Sequence, residues 1–123
     1  MYDRELVIEI LEQILTAARR IERRFANIAT PDDFLVSEEG IDKLDAICMM
    51  LIAIGENLKN LDKITGGTIL PQYPDIDWKG AKGMRDIISH HYFDLDAEAV
   101  YSICKDRVPG LIETIVKMKG SLQ

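Results

Sequence analysis

Two long runs of apolar residues at helical spacing leave this chain few folds to choose from. From residue 3 to about 26, Leu6, Val7, Ile10, Leu11, Ile14, Leu15, Ala18, Ile21 and Phe25 recur at steps that keep them on one stripe. From about 38 to 64, Ile41, Leu44, Ile47, Cys48, Leu51, Ile52, Gly55, Leu58 and Leu61 do the same. Long helices with one apolar stripe must bury it against other elements, and no segment here alternates as a strand would. The expected fold is all-α: an antiparallel four-helix bundle with a short extra helical turn and a kinked last helix.

The remaining signals divide the chain. Asp3 is placed to cap the first helix, and Arg19, Arg20, Arg23 and Arg24 crowd its C-terminal end, where the helix dipole favours cations. Those arginines read as a solvated helix end, with a patch for RNA or an acidic partner as the sharper alternative. Thr30-Pro31-Asp32-Asp33 has the cap, proline and acids of a short helical turn. Gly55 interrupts helix two at a cost of about 1 kcal/mol relative to Ala, which close approach of another helix would explain. Glu56 beside it should lie at the solvent edge or pair with a cation. Thr65-Gly66-Gly67 ends that helix, and residues 65–77 form a loop. Asp77 caps a third helix that starts at Trp78, and Asp96 caps the last. Pro109-Gly110 falls inside the last apolar pattern of Val100, Ile103, Cys104, Val108, Leu111, Ile112, Ile115 and Val116, so a kink is expected there.

The third helix carries the chemistry. Met84-Arg85-Asp86-Ile87-Ile88-Ser89-His90-His91-Tyr92-Phe93-Asp94 holds both histidines of the protein. Arginine presents a planar, permanently charged fork that matches phosphate oxygens. Histidine exchanges protons near neutral pH, and the tyrosine hydroxyl can donate, accept or be modified. Lys79, Lys82 and Arg85, spaced by three, form a basic stripe leading into the segment and are candidates to touch phosphate. Arg85 and His90 are five positions apart, roughly 140° around a straight helix. A helix that ends near Ser89 or His90, or a symmetric dimer, would bring them to one ligand. The plain structural alternative has the histidine bonding free carbonyls at a helix end and Arg85 pairing with an acid such as Glu56.

Other chemistry is poorly supplied. Two adjacent histidines point apart, and no Glu-x-x-His or His-x-x-x-His spacing offers a metal pair. No glycine-rich phosphate loop follows a strand. Cys48 and Cys104 stand alone within apolar helical runs, as small core residues do. The 123 residues, 47% of them apolar, match one domain spanning 1–123. No apolar run approaches a membrane span, and Met1-Tyr2-Asp3-Arg4-Glu5 lacks the pattern of a secretory signal, so the expectation is cytoplasmic. The net charge of −6 disfavours strong free-standing binding to nucleic acid and leaves local, transient contact.

With these residues in view, Trp78 through Asp94 resembles the HEPN superfamily, in its small stand-alone branch of HepT-type toxins from MNT–HEPN toxin–antitoxin modules. That branch carries Arg, four residues, His, one residue, Tyr, which fall here on Arg85, His90 and Tyr92. The resemblance extends through Ile54-Gly55-Glu56-Asn57-Leu58 to the long last helix. It implies a homodimer with the motif near the dimer cleft and no cofactor. It implies a type VII-like toxin that cleaves RNA without metal, with Arg85 and His90 catalytic. It also implies a nucleotidyltransferase antitoxin that silences the toxin by transferring AMP to Tyr92. Asp86 stands where the family usually has a polar residue, often asparagine, and His91 adds a second imidazole; with Glu56 these are candidate auxiliaries. The alternative within the same resemblance is a non-catalytic HEPN dimer that binds nucleotide or presents Tyr92 to its nucleotidyltransferase.

Overall fold

The computed structural model describes residues 2–90 and 96–123, with only the backbone of His90. Helix α1 (Arg4–Phe25) starts where Asp3 Oδ1 accepts the Leu6 N–H at 3.2 Å, which satisfies one of the free donors of the first turn. Its buried face is Val7, Ile10, Leu11, Ile14, Leu15, Ala17, Ala18 and Ile21. The chain turns through the expected short helical segment, a 3-10 turn (Pro31–Phe34) closed by a Thr30–Asp33 capping box, and Phe34 is fully buried beneath it. Helix α2 (Glu38–Thr65) follows, capped by Ser37 Oγ on the Gly40 N–H at 3.0 Å. It ends at Gly66, whose φ of 65° is the left-handed conformation that glycine adopts without steric penalty.

A second 3-10 segment (Leu70–Gln72) leads to α3 (Trp78–Lys82) and α4 (Met84–His90). The third helix was expected to be continuous; it breaks at Gly83. The last stretch comprises α5 (Ala97–Ser102), a π turn (Ile103–Arg107) and α6 (Val108–Leu122). The expected irregularity is therefore present but lies ahead of Pro109. The Val108 N–H donates to Ile103 O, five residues back. A proline ring collides with the carbonyl four residues before it, and a wider turn there lets Pro109 sit in the first turn of α6.

No strand occurs among the described residues, and the fold is an all-α bundle. Helix α1 packs on α2 and on α6, while α3 and α4 lie against α2. Glu12 meets Lys119 and Phe25 meets Tyr101, so α1 runs antiparallel to the last helical stretch. One core joins all of these elements. The sequence stripes were close to correct at their centres. Leu6, Ile41 and Val116 prove exposed, while Ile54 and Met118 are buried instead. Cys48 and Cys104 are buried and free, as expected. Burial pushes the Cys48 thiol up to about 11, with Asp45 adding to it, and the Cys104 thiol up to about 12, with Cys48 adding to it. No helix among the described residues is long and apolar enough to cross a membrane.

Candidate active site at the α3–α4 break

The break is built by local chemistry. Asp77 Oδ1 accepts the Gly80 N–H at 3.0 Å and starts α3. Trp78 is buried, and its Nε1–H donates to Tyr73 O at 2.9 Å, so the preceding loop and α3 are fixed together. At Gly83 the N–H donates back to Lys79 O and Gly80 O, at 3.1 and 3.2 Å, while Gly83 O accepts from Asp86 and Ile87. One residue thus closes α3 and opens α4. Helix α4 lies on the surface. Ile88 is buried and Met84 partly so, four residues apart on its inner side, while Arg85, Asp86, Ile87 and Ser89 are exposed.

Gly55 explains how α3 comes so near α2. A Cβ at this position would stand 2.8 Å from Ala81 O and 3.4 Å from Lys82 O, both backbone atoms. The close approach inferred from the glycine is therefore real. It brings Glu56, the next residue, to the side of α4. Glu56 Oε1 lies 3.3 Å from Arg85 Nη1 and 3.9 Å from Lys59 Nζ. Glu56 is thus both at the solvent edge and paired. The Arg85 contact runs through one guanidinium nitrogen, and the side chain remains 59% exposed. From the next residue of α2, Asn57 Nδ2 donates to Gln13 Oε1 of α1 at 3.1 Å and holds this part of α2 against α1.

The basic stripe does not survive as one surface. Lys79 is exposed. Lys82 turns to Asp62 near the end of α2 and is only 28% exposed, as is its partner. Asp62 escaped the sequence reading. A signal was there to find: an acid in the last turn of a helix opposes the dipole and is favoured only when a cation compensates it. Helix α4 reaches His90, so Arg85 and His90 belong to one helix and their positions stay roughly 140° apart around it. His91 and Tyr92 lie outside the described residues, as does the side chain of His90. Among the described residues no three His, Cys, Asp or Glu side chains are gathered for a metal ion.

The structure is an all-helical bundle that presents an arginine on a short surface helix, in contact with a carboxylate of the neighbouring long helix. Residues 14–118 match the family described as ribonuclease HepT-like, so the chain belongs to that family, within the HEPN superfamily. A "Putative RNase" of Methanocaldococcus jannaschii is 34% identical over 91 residues, which cover 74% of this chain and 69% of that protein. The "Probable ribonuclease HepT" of Thermococcus cleftensis is 28% identical over 111 residues, 90% of this chain and 94% of its own. A third relative, also from M. jannaschii, is named "Gamma-glutamylcyclotransferase and putative RNase"; it is 32% identical over 91% of this chain, which spans 47% of that protein. No solved structure matches the chain.

Proposed function

We propose that this chain is a metal-independent endoribonuclease, the toxin of a toxin–antitoxin module, silenced by AMP transfer to Tyr92. Residues 1–123 would act as one cytoplasmic domain, where RNA and ATP are at hand. The observation that carries the reading is the exposed Arg85 on α4, in single contact with Glu56, with His90 five residues on in the same helix. Membership of the ribonuclease HepT-like family supports it.

The reaction suits these residue types. A ribose 2′-hydroxyl attacks the adjacent phosphorus and loses its proton to a base. The bond from phosphorus to the 5′-oxygen breaks, and that oxygen takes a proton. The products are a 2′,3′-cyclic phosphate and a 5′-hydroxyl. His90 serves as base or acid, a role worth about 10²–10⁴ in rate. Arg85 holds the phosphate and stabilises its growing charge, at about 10²–10³ for such a donor. Because Arg85 and His90 diverge around α4, a homodimer offers the complementary residue from the second copy. AMP on Tyr92 would add a phosphate and a nucleoside close in sequence to both, neutralising the arginine and excluding RNA. A nucleotidyltransferase is the partner this modification requires.

The test is RNA cleavage in EDTA by protein whose intact mass shows no AMP. Wild type should cut; Arg85→Ala and His90→Ala should not, while remaining folded. Mixing the two inactive variants should restore cleavage if the site is shared between copies. Undiminished cleavage by both variants refutes the assignment. The second reading, a non-catalytic HEPN dimer that binds nucleotide or presents Tyr92, draws on one observation: Lys82 and Arg85 are already met by acids of α2 in a chain of net charge −6. It predicts modification and complex formation with no cleavage by unmodified protein.

A further inference from the structure

Lys82 and Arg85 stand on opposite sides of Gly83, and each is bound to a carboxylate of α2. The two carboxylates have different surroundings. Glu56 and Arg85 are open to water, with side chains 39% and 59% exposed, whereas Asp62 and Lys82 are each 28% exposed. Asp62 is seven residues after Gly55, two helical turns less about 20°, so both lie on the stripe of α2 that α3 covers. At Gly55 the α2 backbone meets the last carbonyls of α3; at Asp62 the side chain takes the ammonium of its last residue. The Asp62 main chain is fixed as well, since its carbonyl accepts from Gly66 and from Gly67, the latter at 2.9 Å.

The end of α3 is therefore held at two points, and the end of α3 sets where α4 begins. We infer that Asp62 is a positioning residue for Arg85, acting through Lys82 across the Gly83 break. Lys82 then belongs to the brace rather than to the surface that meets RNA. A partly buried lysine released from its carboxylate regains its full rotamer freedom and its hydration, and α3 loses one of its two anchors on α2. Arg85, three residues further on, shifts relative to Glu56. The inference depends on the ribonuclease reading only for its activity readout.

The experiment compares wild type with Asp62→Asn, Lys82→Met, the double variant, and the charge-swapped Asp62→Lys/Lys82→Asp protein. The Arg85 Nε–H resonance, assigned by its loss in Arg85→Lys, reports the arginine's surroundings whether or not RNA is cut. It should move in both single variants, move no further in the double variant, and return in the swapped protein. Turnover of an RNA oligonucleotide should fall in parallel, by about tenfold to a hundredfold, with KM and the salt dependence of RNA binding unchanged. An Arg85 resonance that stays in place in the folded single variants overturns the inference. So does a Lys82→Met protein that raises KM and loses about one phosphate's share of the salt slope while Asp62→Asn binds RNA more tightly, for then Lys82 is an RNA contact. Wild type that never cuts RNA removes the ribonuclease reading and leaves the resonance test standing.

Discussion

Gly55→Ala isolates the contact on which the site depends. A helix-interior glycine normally gives up about 1 kcal/mol relative to alanine, so the exchange carries a built-in gain. Against it stands the new Cβ at 2.8 Å from Ala81 O. That atom is backbone, so no rotamer change can relieve the clash; α3 must move away by several tenths of an ångström. Overpacking of this kind costs about 1–3 kcal/mol. The net should be a loss of roughly 0–2 kcal/mol once the propensity gain is subtracted. The functional cost should be larger. The movement begins at the residue before Lys82 and is carried through Gly83 to Arg85. A 1 Å error in such a group can cost about a hundredfold in rate.

The assay is urea unfolding together with RNA cleavage under saturating substrate, with Gly110→Ala as the control. Gly110 is also helical, and its nearest foreign atom to an added Cβ is Ile76 Cδ1 at 4.0 Å, an ordinary contact. Gly110→Ala should keep full activity and gain up to about 1 kcal/mol. If Gly55→Ala gains the same and cuts RNA at the wild-type rate, the close approach of α3 does not govern the site and the reasoning fails.

Three further outcomes follow from the same geometry. Glu56→Gln keeps an acceptor for Arg85 but removes the competing charge; stability should change by less than about 1 kcal/mol, as for exposed ion pairs, and RNA should bind more tightly in a filter assay. Weaker binding would make Glu56 a group that Arg85 needs for orientation. Gly66→Ala should destabilise by about 1–2 kcal/mol in thermal unfolding, because its φ of 65° is costly for any residue with a Cβ; an unchanged melting temperature would count against that. Cys48 and Cys104, with folded pKa values raised to about 11 and 12, keep their protons longer in the folded state than in the unfolded one. Their contribution is therefore complete below the ordinary thiol value of 9.0 and fades as pH climbs toward the folded values. Stability measured from pH 8 to 10.5 should fall more steeply in wild type than in Cys48→Ala/Cys104→Ala.

The long helices could be read because their cause is local and repeated. Each turn of α1 restates the same stripe, and Asp3, Ser37, Asp77 and Asp96 act as caps through their own immediate neighbours. The break at Gly83 was harder. Asp77 and Gly83 supply the hydrogen bonds of the break locally, but Gly55 and Asp62, which hold the end of α3 on α2, lie 20 or more residues before the residues they meet. The π turn was half legible, since Pro109 announces an irregularity but not which turn will absorb it. For the candidate site, the pairing of Glu56 with Arg85 was legible as one of two outcomes for that acid, while the roles of Arg85 and His90 came from the family resemblance, because five positions on a helix do not by themselves bring two side chains to one ligand.

A chain of net charge −6 repels RNA over most of its surface, so any contact with RNA must be local. Nucleic-acid affinity grows with the number of phosphates neutralised, and each exposed cation adds to it. Here Lys82 is bound to Asp62 and Arg85 shares Glu56 with Lys59, so little positive charge near the break is free of an acidic neighbour. If the proposed site is correct, it should bind substrate weakly away from the transition state. The Glu56–Arg85 contact is exposed and single-pronged, so it costs little to exchange for a phosphate, and the exchange is most favourable when that phosphate carries the extra charge of the reacting intermediate. On the proposed reading, the acidic surroundings would limit unproductive binding to bulk RNA without opposing the step that Arg85 is proposed to stabilise.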